Sequence, residues 1–140
     1  MPDTVVGSIQ ITTERSIQVK EITGSIHQWL RENRADEGIL TISSKHTTAG
    51  VTINEAESGL MRDIENHLKE LVPRNKGYEH DRVDNNAHAH LMTSLIGSTE
   101  SVPVKSSELV LGTWQRILFV ECDGPRSRSV SLAFVGRLTS

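Results

Sequence analysis

Apolar residues recur with a period of two along the first dozen positions, where Val5, Gly7, Ile9 and Ile11 share one parity. Residues of one parity line one face of a strand. A polar turn around Thr13-Glu14 follows, and Ile17 and Val19 alternate after it, so this stretch predicts a β-hairpin. The period then changes. Ile22, Ile26, Trp29 and Leu30 are spaced for one face of a helix, with Thr23 as candidate N-cap. Gly38 punctuates the chain, and Ile39 to His46 returns to strand spacing. A short turn at Ala49-Gly50 leads into Val51-Thr52-Ile53-Asn54-Glu55. The second helix presents Leu60, Ile64, Leu68 and Leu71 on one face, with Pro73 beyond its end. Asn54 and Glu57 have the spacing of a capping box.

From Pro73 to Asn86 the chain is polar and reads as a loop, the longest irregular segment. Long ordered loops in compact domains are often functional. Ala87 to Ile96 predicts a short helix ended by Gly97. The remainder reads as strands: Val102-Pro103-Val104, Leu109 to Leu111, Arg116 to Cys122 and Ser127 to Leu138. The expected fold is a mixed α+β domain with a largely antiparallel sheet and two to three helices, one domain over residues 1–140.

Composition narrows the function classes. Aromatic residues make up only 4% of the chain, which leaves room for stabilisation by association with copies of itself. The formal net charge is -3, so no electrostatic drive toward nucleic acid is expected. One cysteine, Cys122, excludes an internal disulfide and suits a reducing compartment. The N-terminus lacks the marks of a signal peptide, and no apolar run approaches the roughly 20 residues of a membrane helix. A cytoplasmic, membrane-free protein is the expectation.

Candidate chemistry sits in three places. His46 shares parity with Leu40 and Ile42, so it is expected to point inward at a strand end, as a core histidine or as a ligand. His88 and His90 form H-x-H on a predicted helix, about 200° apart, so only one can face a given site. His88 is expected to be a solvated surface residue. In Asp123-Gly124-Pro125-Arg126-Ser127-Arg128, Arg126 and Arg128 share parity with the apolar positions Val130, Leu132 and Phe134. Inward guanidiniums need buried carboxylates, with Glu121 and Asp123 at hand, or an anionic ligand such as phosphate. Glu55 lies near a helix start, where a carboxylate has a sufficient structural reason. Gln115 follows a turn and is a candidate neutral hydrogen-bonding group. Cys122 shares parity with Leu118 and Val120 and is expected in the core.

These pieces occur in an order that resembles one family. His46-Thr47-Thr48-Ala49-Gly50 runs into Thr52-Ile53-Asn54-Glu55. Asp63, Tyr78-Glu79-His80, Asn86 with Ala89-His90-Leu91, and Ser94-Leu95-Ile96-Gly97 follow. Pro103-Val104, Leu111-Gly112-Thr113-Trp114-Gln115 and the closing Asp123 to Arg128 complete the set. In order and spacing the chain is similar to the YjbQ-like, secondary thiamine-phosphate synthase family, loosely before about Ile22 and well beyond it. The resemblance implies a YjbQ-like α+β fold that associates as a homotrimer, with sites at subunit boundaries. It implies a site containing His46, His90, Glu55, Asn86, Gln115 and the terminal arginines, and it raises His90 over His88.

The resemblance further implies a transferase that joins a pyrimidine diphosphate to a thiazole phosphate and releases pyrophosphate. His46, His90, Glu55 and Gln115 are then the candidate catalytic residues. Arg126, Arg128, Asn86 and Thr47 are the candidate phosphate-binding residues. His46, His90 and His80 are the candidate ligands of a divalent metal. Diphosphate chemistry favours Mg²⁺, whereas paired histidines favour Zn²⁺, and the choice stays open. Two other readings use the same residues: a metal-dependent hydrolase of an anionic small molecule, and a non-catalytic trimer that binds an anionic metabolite.

Overall fold

The period-two stretch at the N-terminus forms a ten-residue strand, β1 (Asp3–Thr12), in a computed structural model that describes residues 1–140. β1 does not fold back on the next strand. It pairs antiparallel with β8 (Ser127–Leu138), while β2 (Gln18–Glu21) pairs with β7 (Arg116–Glu121) in another sheet. The expected N-terminal hairpin is therefore replaced by a crossing between sheets. The apolar residues show why: Ile11 enters one core, whereas Ile17 and Val19 enter a second.

The remaining elements are α1 (Thr23–Glu32), β3 (Ala35–Ser44), β4 (Ala49–Asn54), α2 (Ser58–Leu71), a 3₁₀ turn (Glu79–Arg82), α3 (Ala87–Ile96), β5 (Thr99–Lys105) and β6 (Glu108–Leu109). One sheet has the order β1-β8-β3-β5-β6 and the other β2-β7-β4, and every neighbouring pair is antiparallel. This is the α+β architecture with antiparallel sheets and three helices expected from the sequence. No helix is long and apolar enough to cross a membrane.

Two cores result. Leu40, Ile42, Val51, Ile117, Phe119, Leu132 and Phe134 fill the larger one with α1 packed against it. Leu118, Val120 and Cys122 face the smaller one with Leu68, Val72, Ala89 and Met92 from the helical side. β7 is thus buried on both faces, and each fully buried large apolar side chain on it contributes roughly 1.5–3 kcal/mol.

Local expectations shift in instructive ways. Thr23 does not cap α1; its hydroxyl accepts from the Ile117 backbone N–H at 2.8 Å and ties the helix to β7. Glu57, not Asn54, caps α2 by accepting from the N–H groups of Gly59 and Leu60. Leu71 is exposed, and Val72 takes its place in the core. Glu65 is buried on α2 and accepts from Arg15 Nη1 and the Val19 N–H, both at 2.8 Å, pinning the helix to β2. Gly38 lies inside β3, opposite Gly136, where a Cβ would come within 2.2 Å of the Val135 carbonyl. Ala49 and Gly50 open β4 instead of forming a turn.

The outer face of the five-stranded sheet carries almost no charge at its centre. Val6, Ile39 and Val135 are exposed there. Around them Thr41 and Ser101 pair hydroxyls at 3.3 Å, and Ser43 and Thr99 at 2.8 Å.

Candidate functional site

The site is built on a buried ion pair at the end of β7. Arg128 donates through Nε to Glu121 Oε1 at 2.8 Å and through Nη2 to Oε2, and Nη2 also reaches Thr48 Oγ1 at 2.9 Å. Glu121 further accepts from the Thr13 hydroxyl at 2.7 Å and the Asp123 N–H at 3.0 Å. Burial alone would raise the Glu121 carboxyl, but the bonds from Arg128, Asp123 and Thr13 outweigh it and hold it below its usual value. Arg128 is therefore consumed internally. The expected phosphate-binding role for it is corrected: a guanidinium 4% exposed, with its partner carboxylate fully buried, is a structural anchor.

That anchor holds the loop carrying His46. The Thr48 carbonyl accepts from the Cys122 N–H at 3.0 Å, and Ser44 Oγ donates to the Ala49 carbonyl at 2.7 Å. His46 lies past the end of β3, half-buried, where its Nε2 accepts from the Ser129 N–H at 2.9 Å. A ring nitrogen that accepts carries no proton, so the ring is neutral with Nδ1 as donor. Burial, then the Arg128 charge, pushes its pKa down and favours the same state. With Nε2 spent on the backbone and Nδ1 protonated, His46 does not offer a metal a lone pair.

The opposite wall is α3. Val51 N–H donates to the Gly97 carbonyl at 3.1 Å and Ser44 N–H to the Ser98 carbonyl at 2.8 Å, so the end of α3 is strapped to β3 and β4. A Cβ on Gly50 would lie 2.4 Å from the Gly97 carbonyl, which explains the glycine at this close approach. Gly97 itself has φ +94°, a conformation glycine accommodates. Between the walls lies an open cleft of about 460 Å³ lined by His46, Thr47, His90, Thr93, Ser94 and Ser98. No carboxylate lines it.

Beside His90 runs a polar chain. Arg126 Nη2 donates to Asp123 Oδ2 at 3.1 Å, and Asn86 Nδ2 donates to the same oxygen at 2.9 Å. Asn86 Oδ1 is then the acceptor for His80 Nε2 at 3.1 Å, which fixes the proton of His80 on that nitrogen. The His80 and His90 rings meet edge to face with centroids 4.7 Å apart. His80, His90, Asn86, Arg126, His46 and Thr47 thus gather in one region. The three histidines expected as metal ligands share that region, but within one chain no three His, Cys, Asp or Glu side chains come close enough to hold an ion together.

Glu55 and Gln115 lie elsewhere. Glu55 follows β4 and Gln115 precedes β7 at the far end of that pair, where Asn54 faces Arg116, while the His46 end has Ala49 opposite Glu121. Five residues of strand separate the ends, about 17 Å. There Glu55 lines a cleft of about 400 Å³ with Trp114 and Arg116, and Trp114 is 71% exposed. Gln115 Oε1 accepts from the Gly112 N–H at 2.8 Å and closes its own turn. Within one chain these residues do not join His90.

His88 is also corrected: it is 4% exposed, not solvated, because α3 is buried along most of its length. Sequence reasoning left Thr93, Ser94 and Ser98 out of the site. The signal was present, since His90, Thr93, Ser94 and Gly97 follow i, i+3, i+4, i+7 spacing along one helical face. Asp123, the hub between Arg126 and Asn86, was noted only as a salt-bridge partner. Cys122 is a core residue as expected, and burial pushes its thiol up to about 12.

A two-sheet α+β fold with a histidine- and hydroxyl-lined cleft at one sheet end defines the class. The description "UPF0047 protein YjbQ-like" matches residues 7–137, and the chain belongs to that family. It is 45% identical to a UPF0047 protein of Archaeoglobus fulgidus over 122 residues, covering 87% of this chain and 94% of the relative. It is 35% identical to UPF0047 protein YugU of Bacillus subtilis, covering 92% and 98%. Among solved structures, a YbjQ-like protein of unknown function from Sulfolobus solfataricus P2 superposes with TM-score 0.93 at 35% identity, covering 98% of this chain and all of that one. A hypothetical protein from Aeropyrum pernix K1 gives TM-score 0.92 at 46% identity, covering 95% and 99%.

Proposed function

We propose that this protein binds a phosphorylated small molecule in the cleft between His46 and His90 and acts on it as a thiamine-phosphate-synthase-like transferase. One observation carries the reading: the cleft offers neutral donors, a His46 ring locked with its proton on Nδ1 and the hydroxyls of Thr47 and Ser98, with no carboxylate to repel an anion, while the Ser94 hydroxyl donates to the His90 carbonyl and the Thr93 hydroxyl is buried behind the wall. In the reaction the thiazole ring nitrogen bonds to the exocyclic carbon of the pyrimidine. The C–O bond to the diphosphate breaks, and its electron pair leaves with pyrophosphate. Fixed donors stabilise the charge that builds on the leaving oxygen. His90 donates a proton to the leaving pyrophosphate oxygen, and Arg126 at the rim neutralises the phosphate.

A metal-dependent hydrolase is less well supported, because His46 has no free lone pair and no three-ligand cluster exists. No step is assigned to a metal here. A homotrimer fits two features: the uncharged outer face of the five-stranded sheet, and the separation of Glu55 and Gln115 from His90, which a neighbouring copy would close. The single buried thiol fits a reducing compartment such as the cytoplasm.

The test is thiamine phosphate formation from the two precursors, with His90→Ala purified alongside. Wild type should form product and the variant should be slower by about 10²-fold or more. The same trace from both proteins would sink the transferase reading and leave anion binding without turnover. Mixed oligomers of Glu55→Ala and His90→Ala should regain activity if sites are shared between copies; no recovery would argue for sites within one chain.

A further inference from the structure

The opposite face of α3 carries a feature the cleft does not use. His88 and Met92, one turn apart, point away from the His90 face and line a separate cavity of about 220 Å³. Its floor is apolar, from Ile17, Val72 and Met92, all buried. Lys69 and Arg74, both exposed, stand at its mouth. His88 is 4% exposed, and its ring nitrogens, which bond to no group of the chain, keep a little contact with solvent. Burial, and then the nearby Arg74 charge, pushes its pKa down, so the ring is neutral and offers one donor and one acceptor.

A ring nitrogen that meets only water at the wall of an apolar cavity is a hydrogen-bonding position that a ligand can take over. The cavity is the direction from which a partner for His88 can come. Two cations at the mouth select a negative charge, and the nearest carboxylates to His88, Asp81 and Asp123, do not line the cavity. The apolar floor selects carbon over a fully hydrated ion. A cavity of about 150 Å³ accepts benzene, so this one admits a body of that size bearing one small charged group.

We infer that this cavity is a second binding site, for a small carboxylate with a compact apolar body. The carboxylate sits between Lys69, Arg74 and the His88 N–H, and the apolar part rests on Ile17, Val72 and Met92. The site is independent of the cleft chemistry, because no residue lining one cavity lines the other.

The experiment follows the histidine ring nitrogens of the full chain by NMR while benzoate, isovalerate, benzamide or inorganic phosphate is added to about 20 mM. Both carboxylates should shift the His88 ring saturably and leave His90 unmoved. The exposed-site double variant Lys69→Ala/Arg74→Ala should weaken that binding by about tenfold or more. Absence of a saturable His88 shift with either carboxylate would overturn the proposal. So would benzamide binding as well as benzoate, phosphate binding as tightly as benzoate, or unchanged affinity in the double variant.

Discussion

Arg126 and Arg128 stand two residues apart at the entrance to β8 and share one parity, yet their side chains are 52% and 4% exposed. Arg128 enters the sandwich because Glu121 on the neighbouring strand is fully buried and needs a cation. Arg126 precedes the first strand residue, so the pleat does not direct it inward, and it bends back to Asp123. Parity alone treats them as equals. The difference lies in where the pleat begins and which carboxylate is already out of water. A buried guanidinium holds the loop that carries His46; an exposed one, paired with Asp123, keeps half of its surface in solvent.

The largest effect should come from breaking the buried pair. Arg128→Ala or Glu121→Ala is expected to cost about 3–5 kcal/mol in urea unfolding, because the remaining charge is stranded. Replacing both, as Arg128→Met with Glu121→Leu, should recover much of that loss. A loss below about 1 kcal/mol for the single variants would erase the contrast with Arg126.

Next in size is the acid response. The Glu121 carboxyl is held below its ordinary value of 4.5, so its stabilisation is complete above that pH and is lost as pH falls through the lower folded value. Unfolding midpoints should drop steeply on the acid side in wild type, and the drop should be shallower in Glu121→Gln. His27, His46 and His88 are all pushed below 6.5 by burial, so the unfolded chain takes up their protons first. Stability should therefore begin to fall as pH drops below 6.5, before Glu121 contributes. A flat profile between about pH 7 and 5 would mean these rings gain no protection on folding.

The smallest effect on stability belongs to Arg126. Arg126→Ala should change the unfolding free energy by less than about 1 kcal/mol, since its ion pair is exposed. The same variant should weaken pyrophosphate binding by about tenfold, measured by calorimetry. Normal affinity would remove Arg126 from the site and leave the rim to Asn86 and His80.

Much of this contrast was legible beforehand, and the exceptions have physical causes. α3 runs from Ala87 to Ile96 as its pattern predicts, because Asn86 and the positive-φ Gly97 bound it on either side. Helical geometry separated His90 from His88, yet missed that the His88 face of α3 is covered. Pairing with Glu121 or Asp123 was foreseen as one option for the arginines, and each arginine took one of the two. The N-terminal hairpin failed because local alternation says nothing about which partner strand is available. Gly38 and Gly50 read as breaks, whereas each lies in a strand where another backbone passes too close for a Cβ. Glu55 and Gln115 share motif blocks with the site in order along the chain but not in space within one protomer.

β7 sits between β2 and β4 with apolar side chains buried on both faces. Its amide protons have no route to solvent through fraying of an edge or a loop. They should be among the last in the molecule to exchange with deuterated water, and at the rate of complete unfolding. Glu121 is the final residue of that strand, so the scaffold of the cleft is fastened to the segment that opens least often. The loop tip at Thr47 and the 3₁₀ turn carrying His80 remain free to open locally without loosening it.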